Sequence, residues 1–333
     1  MINNNQFSIK NLKNIVFFGE DKCFKDFIKF NKTIGIKSQI LTSPHQAKDI
    51  DKSLSFKKFS KLDKKFQSYI RSNYKIEETL FISVASRWIF KERIINFFKK
   101  NLINFHGARL PFDSGSGGFS WNIMRNDRIC VQLAHLVTKD IDKGPIISYE
   151  KFLYPYNCKT SKDFYNFYNE RFKDFYKKFI TSLKKKQKYT LIKQVDYIGR
   201  YNPRLLTNKD GWIDWNQSSE EIINFINAFD DPYEGASTMI GKEKCRIKKA
   251  QLHGGEGKNH PFMTGLVLRN DKNWIVVATR DSNCLIIEKV LNTKNKNIIN
   301  KIKPGQRFFT LSKKLDYSKS KRTIFNSRGF KIR

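Results

Sequence analysis

The sequence predicts an α/β domain with a mostly parallel sheet and helices on both faces, followed by a small antiparallel β-barrel. In the first part of the chain, continuously apolar segments alternate with segments of helical periodicity, which is typical of a parallel sheet covered on both faces. After about residue 230, short β-type segments are separated by Gly, Asn and Asp. The chain has 333 residues, 39% of them hydrophobic, so two domains can each bury a core.

The elements follow from apolar runs, which predict strands, and from apolar positions at three- and four-residue spacing, which predict helices. In the sheet domain we expect strands at 14–19, 36–41, 80–85, 102–105 and 129–136, and helices at 57–72, 90–100 and 161–186. In the barrel we expect a helix at 218–229 and strands at 245–250, 265–269, 274–279 and 285–290. The predicted domains are therefore 1–205 and 206–317, with a basic tail at 318–333.

The charge of the chain is extreme, with 64 Lys and Arg against 31 Asp and Glu, a net charge of +33. Two interpretations stay open. The charge indicates binding to nucleic acid or another polyanion, or it reflects an AT-rich genome whose many lysines lie on a solvated surface. The five cysteines are widely spaced without a CxxC motif, which predicts reduced thiols, no disulfide scaffold and no zinc site. The polar N-terminus and the lack of an apolar run near 20 residues predict a cytoplasmic protein without a membrane partner.

The most informative segment is Asn104-Phe105-His106, at the end of a predicted strand. Residues two apart project from the same side of a strand, so Asn104 and His106 are expected to lie together. Asp140-Ile141-Asp142 forms an acidic loop after the predicted strand 129–136. An amide, an imidazole and a carboxylate can together perform acyl transfer, because the amide and imidazolium stabilise an oxyanion and the carboxylate orients the imidazole and accepts a proton.

The pattern Asn-x-His-x-x-x-Leu-Pro from Asn104, with Asp142-x-Gly 36 residues after the His, resembles the signature of the folate-dependent formyltransferases. The strand ending at Gly19 and a His at position 135 fit the same family. The segment from Ile213 to Ala236 resembles the start of a β-barrel domain. In that family the domain occurs in methionyl-tRNA formyltransferase and in some sugar-nucleotide N-formyltransferases. The resemblance covers residues 14 to 310 and implies a Rossmann-like catalytic domain followed by an OB-like barrel.

The resemblance implies an N-formyltransferase that uses 10-formyltetrahydrofolate as co-substrate and no metal. Asn104 and His106 would polarise the formyl carbonyl, and Asp142 would hold His106 and help accept the proton that the attacking amine loses. The pterin would bind largely through backbone groups of two loops. The implied residues of these loops are Ser86, Arg87, Trp88, Ile89, Phe90, Val137 and Asp140.

The acceptor is the point on which the sequence leaves alternatives open. The turn after Leu110-Pro111 is rich in glycine and closes with aromatic residues, which resembles enzymes that formylate a nucleotide-linked amino sugar. The candidate acceptor-binding residues are Arg109, Gly117, Gly118, Phe119 and Trp121. The alternatives are methionyl-tRNA formyltransferase, favoured by the charge and the barrel, and a non-enzymatic basic RNA-binding protein on the same scaffold. A homodimer is also left open.

Overall fold

The computed structural model describes residues 5–195, 199–254, 257–326 and 329–333. The strands are β1 (Gln6–Phe7), β2 (Asn14–Gly19), β3 (Lys37–Thr42), β4 (Phe56–Lys58), β5 (Thr79–Val84), β6 (Leu102–His106), β7 (Asp113–Gly115), β8 (Ile129–Leu136), β9 (Ile146–Leu153), β10 (Tyr189–Thr190), β11 (Arg200–Asn202), β12 (Ala236–Ile240), β13 (Glu243–His253), β14 (Val267–Asn270), β15 (Ile275–Ala278), β16 (Cys284–Asn292), β17 (Phe308–Phe309), β18 (Thr323–Asn326) and β19 (Gly329–Ile332). The helices are α1 (Phe24–Thr33), α2 (Lys64–Asn73), α3 (Glu92–Phe98), α4 (Gly118–Met124), α5 (Ser161–Lys184), α6 (Thr207–Asp210), α7 (Ser219–Ala228) and α8 (Ser312–Ser320).

The chain folds into two compact units. The first consists of 1–114, 130–152 and 168–201, and the second of 115–129, 153–167 and 202–333.

The first unit is built on a seven-stranded sheet in the order β4-β3-β2-β5-β6-β8-β9. Neighbouring strands from β4 to β6 run parallel, and β8 pairs with β6 in the antiparallel direction. Strands β2 and β5 are almost wholly buried, in accordance with their continuous apolar sequences.

Aromatic side chains cover both faces of this sheet. On one face, α1 and α5 form a core in which the rings of Phe27 and Tyr176 stack 3.8 Å apart. On the other face, α2 and α3 contribute Phe66 and Phe98 to a second core. The long aromatic helix predicted at 161–186 is therefore present, and its buried stripe packs on the sheet.

The second unit contains a six-stranded antiparallel sheet in the order β14-β15-β16-β13-β12-β17. The sheet closes on itself, because the Phe308 N–H donates to the Gly265 carbonyl (2.8 Å) and the Val267 N–H donates to the Gln306 carbonyl (2.8 Å). Gly265 has φ +80°, and a Cβ there would lie 2.1 Å from the Phe308 carbonyl oxygen. This seam therefore requires glycine. The fold class predicted from the sequence, a mostly parallel α/β sheet followed by a small antiparallel barrel, is confirmed.

Helix α7, predicted at 218–229, begins directly after Ser218, which caps it. The Ser218 hydroxyl accepts from the Glu221 N–H, and the Glu221 carboxylate accepts from the Ser218 N–H, which is a complete capping box. By contrast, the helix expected at 57–72 begins only at Lys64. Residues 56–58 pair with β3 instead, and the Asp63 carboxylate caps α2 by accepting from the Phe66 N–H.

Residues 312–326 and 329–332 also have regular structure, with α8 followed by the antiparallel strands β18 and β19. The Lys209 ammonium is buried and donates to the Lys321 carbonyl (2.7 Å), while also pairing with Asp210. These bonds connect α6 to the segment between α8 and β18.

Candidate functional site

The site forms on the first unit where β6 and β8 lie side by side. Phe105 points into the core beneath α5, so its neighbours Asn104 and His106 project to the opposite side of β6. In the antiparallel register Asn104 stands directly opposite His135, and the Asn104 Nδ2 atom lies 3.1 Å from His135 Nε2. The pairing of the two strands thus places the amide against a buried imidazole.

The protonation of His135 follows from its surroundings. Burial, and then the charge of His106, lower the pKa of His135 to about 4, while Asp142 partly opposes this shift. His135 Nδ1 lies 2.9 Å from the Leu136 carbonyl, which can only accept, so Nδ1 bears the hydrogen. Nε2 is then an acceptor, and the Asn104 amide donates to it. This bond fixes the Asn104 amide and leaves its second N–H for another partner.

The loop 137–145 brings the predicted carboxylate to the two histidines. Asp142 Oδ2 lies 3.9 Å from His106 Nε2, and Oδ1 lies 3.7 Å from His135 Nε2. Asp142 itself has a left-handed backbone conformation, with φ +57°. At Gly144 a Cβ would lie 1.7 Å from the Leu136 carbonyl oxygen, so only glycine lets the loop pass β8 at this distance.

Gln194 holds this loop in place. Its side-chain amide donates to the Asp142 carbonyl (2.9 Å) and to the Gly144 carbonyl (2.6 Å). The sequence offered no signal for this residue, because a single glutamine 52 residues from Asp142 has no periodicity or spacing to reveal the contact.

The His106 side chain is partly exposed, at 22%. Its Nε2 atom is buried and, among the described residues, makes no hydrogen bond. A buried nitrogen without a partner is costly unless a ligand or water satisfies it. The distances given above show that Asn104, His106 and Asp142, the trio predicted from the sequence, lie close together. His135 is a fourth member of the group.

The loop between β5 and α3 contains the predicted pterin-binding residues 86–90. The Gln46 side chain is fully buried and fixes the turn, donating to the Ala85 carbonyl and accepting from the Arg87 N–H. The Arg87 guanidinium lies 3.9 Å from both Glu20 and Asp49. Burial, followed by the charge of Asp49, raises the pKa of Glu20. Gln46 and Glu20 are contributors that the sequence did not reveal.

Side chains of this loop divide between core and surface. Phe90 is buried in the core near Phe18, whereas Ile89 is 68% exposed. The Ser86 hydroxyl accepts from the Trp88 N–H, and the buried Trp88 Nε1 has no hydrogen-bond partner among the described residues. A cavity of about 570 Å³ lies beside Trp88 and Ile89. Its other lining residues are Lys61, Leu62, Asp63, Lys91, Arg93 and Ile94.

Two further predicted residues lie in the loop that follows β8. The Val137 N–H donates to the Leu102 carbonyl (3.1 Å), and its side chain packs on the core beneath α3. Asp140 is exposed, and its carbonyl accepts from the Thr138 hydroxyl. Only Asp142 of this acidic loop reaches the histidines.

Arg109 belongs to a charged cluster of the first unit. The Asp113 carboxylate, which is 7% exposed as a residue, lies 3.2 Å from Arg109 Nε and 2.6 Å from Arg200 Nε. One buried carboxylate thus orients two guanidinium groups. Arg200 was not predicted, because it lies 87 residues from Asp113 in sequence.

The remaining predicted acceptor residues, from Gly117 to Trp121, lie in the second unit. The Trp121 Nε1 atom donates to the Pro203 carbonyl (2.9 Å), so the indole is fixed. Phe119 meets Tyr165 edge to face, with ring centroids 6.2 Å apart. Gly117 and Gly118 form the turn into α4.

Two structural absences concern the described part of the chain. No group of three or more His, Cys, Asp or Glu side chains there is placed to hold a metal ion. Nor does any helix in these ranges have the length and apolarity to cross a membrane.

Known proteins resemble this chain in both sequence and fold. Residues 205–305 match the family described as "Formyl transferase, C-terminal domain". The methionyl-tRNA formyltransferase of Mycoplasma capricolum is 24% identical over 261 residues, covering 78% of this chain and 79% of the relative. The bifunctional polymyxin resistance protein ArnA of Wigglesworthia glossinidia brevipalpis is 25% identical over 77% of this chain, which spans only 38% of that longer relative.

Solved structures share the fold at lower identity. WlaRD, a sugar 3N-formyl transferase determined in the presence of dTDP and 5-N-formyl-THF, has a TM-score of 0.60 at 20% identity, covering 84% of this chain and 98% of its own. The N-formyltransferase of Helicobacter canadensis, in complex with folinic acid and dTDP-3-aminofucose, has a TM-score of 0.58 at 19% identity, covering 83% and 99%.

The sheet of the first unit and the barrel of the second have the fold of these solved formyltransferases. Residues 205–305 belong to the formyl transferase C-terminal domain family, and the prediction of an N-formyltransferase is confirmed at that level.

Proposed function

We propose that the protein transfers a formyl group from 10-formyltetrahydrofolate to the amino group of a nucleotide-linked amino sugar. The observation that carries this proposal is the convergence of Asn104, His106 and Asp142, with the buried His106 Nε2 left without a partner. The sugar is favoured because this chain matches nearly the whole length of the two solved formyltransferases described above. Those structures contain dTDP or a dTDP-linked amino sugar.

We propose that the loop 86–90 and the cavity beside it bind the folate. The buried Trp88 Nε1 and His106 Nε2 are polar atoms that a bound ligand could satisfy. Apolar lining beside Leu62, Trp88 and Ile89 suits an aromatic ring, and the cations of Lys61, Lys91 and Arg93 suit the carboxylates of the glutamate tail. When bound, 10-formyltetrahydrofolate supplies the activated formyl group.

Each residue of the trio then has a distinct role. The second N–H of the Asn104 amide, held by His135, would donate to the formyl oxygen, and the His106 imidazole would stabilise the charge that develops there through its buried Nε2. The Asp142 carboxylate, 3.9 Å from His106 Nε2, would orient the imidazole and accept the proton that the amine loses. It would return this proton to N10 of the leaving tetrahydrofolate as the bond between N10 and the formyl carbon breaks.

The charged cluster around Asp113 gives the acceptor a place to bind. Because Asp113 holds the Nε edges of Arg109 and Arg200, their guanidinium planes are fixed, and the pair has a net positive charge. Oriented guanidinium groups recognise phosphate oxygens in a fork geometry. We propose that they bind the diphosphate of the nucleotide sugar.

Methionyl-tRNA formyltransferase is the second candidate. It is favoured by the net charge of +33 and by the sequence match to enzymes of that name. A basic RNA-binding protein without activity is disfavoured, because the trio is assembled and His106 remains available. The domain boundaries 1–205, 206–317 and 318–333, the homodimer and the cytoplasmic location stay predictions.

A formyl-transfer assay distinguishes these candidates. Purified protein is incubated with 10-formyltetrahydrofolate and either a panel of nucleotide-linked amino sugars or methionyl initiator tRNA, and formylated product is measured by mass spectrometry. We expect product from an amino sugar and none from the tRNA. Formylation of the tRNA alone would establish the second candidate, and the lack of product from both would refute the two enzymatic candidates.

A further inference from the structure

The second unit contains a cavity of about 350 Å³ that shares no residue with the catalytic group. It lies between α4 with the turn that follows it, the loop 154–160 with the start of α5, helix α7, and strand β13. This volume is within the range of small-molecule sites.

One face of α7 forms a wall of the cavity. Residues Glu220, Ile223, Asn224 and Asn227 recur at three- and four-residue spacing, so they line a single stripe of the helix. The opposite stripe, with Ile222 and Ile226, is buried in the hydrophobic core. A helix with an apolar core face thus presents two amides to this space.

The lining combines an apolar floor with polar walls. Ile123, Phe164 and Ile223 are 1–7% exposed and supply the apolar part. The polar part is rich in side-chain amides, from Asn122, Asn126, Asn224, Asn227 and Gln251. In the described part of the chain, the amides of Asn126, Asn224 and Asn227 make no hydrogen bond. An amide both donates and accepts, as a hydroxyl does, so these groups match a ligand edged with hydroxyls.

An exposed aromatic residue lines the same cavity. Tyr156 is 91% exposed, yet its loop is firmly held. The Arg128 guanidinium donates to the carbonyls of Tyr154 (3.2 Å), Pro155 and Cys158 (2.9 Å), and stacks 5.3 Å from the Phe164 ring. The backbone of the loop is thus held by Arg128, and the Tyr156 side chain is exposed to solvent beside the cavity.

The charges around the cavity favour a neutral ligand. Arg128 is already bonded to three backbone carbonyls. The other charged side chains of the lining are Lys159 and Glu220, so the lining has a net charge of only +1, from an Arg128 whose N–H groups are largely occupied by carbonyls. A phosphate or carboxylate ligand would meet no surplus of uncommitted cations here.

We propose that this cavity is a second ligand site, which binds the pyranose ring of a neutral sugar. The apolar floor and Tyr156 would contact the apolar face of the ring, and the amides of Asn224 and Asn227 would bind its hydroxyls. The site is separate from the catalytic group and does not depend on the proposed reaction.

Saturation-transfer NMR tests this proposal with three probes at millimolar concentration: methyl β-D-glucopyranoside, methyl β-D-galactopyranoside and methyl 2-acetamido-2-deoxy-β-D-glucopyranoside. We expect transfer to the ring protons of at least one. Tyr156→Ala should weaken the affinity about fivefold, and a double variant of Asn224→Ala and Asn227→Ala about tenfold or more. The tyrosine variant tests the proposal even if the double variant misfolds, because Tyr156 is almost fully exposed.

Two controls locate the binding. Phe262→Ala removes another exposed aromatic side chain of the second unit, 77% exposed, and should leave the affinity unchanged. His106→Ala should also leave it unchanged, since a loss there would place the sugar in the catalytic site and overturn the proposal. Absence of transfer to all three glycosides, or equal affinity of the wild type and the Tyr156 variant, would overturn it as well.

Discussion

Residue by residue, the candidate site depends on side chains that hold other side chains. His135 fixes the Asn104 amide, and Gln194 fixes the loop of Asp142. Neither is expected to touch a reacting atom. The proposed chemistry and the groups that support it can therefore be separated by mutation.

The proposed trio should behave as a unit. We expect His106→Ala and Asp142→Ala each to lower kcat on the order of 10³-fold, with little further loss in the double variant, because members of one catalytic unit are not additive. Asn104→Ala should cost about 10²- to 10³-fold, as for the removal of an oxyanion donor. Steady-state kinetics measure these effects. If His106→Ala kept more than about a tenth of the wild-type kcat, His106 would not be catalytic.

Gln194 should act as a positioning residue. Gln194→Glu keeps the size of the side chain but replaces the donating amide with a carboxylate that faces two carbonyl oxygens. We expect kcat to fall about tenfold with a small change in the KM for the folate, because a displaced carboxylate impairs the chemical step more than binding. The exposed Gln187→Glu is the matched control. Equal activity of the two variants would show that the loop does not need Gln194.

The pKa of His135 makes stability depend on pH. His135 is neutral in the folded protein down to a pKa of about 4, whereas in the unfolded chain it binds a proton below its ordinary pKa of 6.5. Stability from the buried neutral imidazole is thus complete above about pH 6.5 and is lost as the pH falls toward 4. Between pH 7.5 and 5 the loss should be about 2 kcal/mol.

Urea unfolding of the wild type and of His135→Gln at both pH values checks this. Other titrating groups are the same in both proteins. The difference between the two proteins in stability lost from pH 7.5 to pH 5 is therefore due to His135. The wild type should lose about 2 kcal/mol more than the variant. Parallel pH profiles of the two proteins would contradict a buried neutral His135.

At the scale of elements, strand pairing determines the secondary structure of some segments more than their own helical spacing does. Residues 57–62 belong to a segment with helical spacing, but they are not helical. Residues 57 and 58 pair with β3, and residues 59–62 precede Asp63, which caps α2. In the barrel, the seam between β14 and β17 is made by a few backbone bonds next to Gly265.

This seam should be sensitive to one methyl group. Gly265→Ala would place a Cβ 2.1 Å from the Phe308 carbonyl oxygen, so the backbone must move and the closing bonds must lengthen. We expect a loss of roughly 3 kcal/mol or more in the free energy of unfolding. Gly241→Ala is the matched control, because φ is also positive there but nothing lies within 4 Å of the added Cβ. It should cost only about 1 kcal/mol. Equal losses in thermal or urea unfolding would show that conformational strain, not the seam, is decisive.

For the whole molecule, the salt dependence of acceptor binding tests whether the net charge of +33 serves to bind a tRNA substrate. A tRNA substrate held through about six phosphates would lose affinity with a log–log salt slope of roughly −4 to −5. A diphosphate held by Arg109 and Arg200 needs far fewer ionic contacts. We expect the KM of the acceptor to change only a few-fold between about 50 and 200 mM salt. A steep slope together with formylation of methionyl-tRNA would make the tRNA enzyme the correct assignment.

The sequence by itself determined the fold class and the proposed trio. Its apolar runs and helical stripes are local patterns, and the spacing of Asn104, His106 and Asp142 resembles a family signature that needs no coordinates. The strand alternation at Asn104 and His106 was readable for the same reason.

Only the tertiary structure decided how these residues are held and what surrounds them. His135 meets Asn104 through an antiparallel register, Gln194 meets the Asp142 loop across 52 residues, and Arg200 meets Asp113 across 87. The cavity beside α7 is lined by four separate segments. Such contacts are made by polar groups distant in sequence, and hydrogen bonds of this kind impose no period on the chain, so they became visible only once the chain had folded.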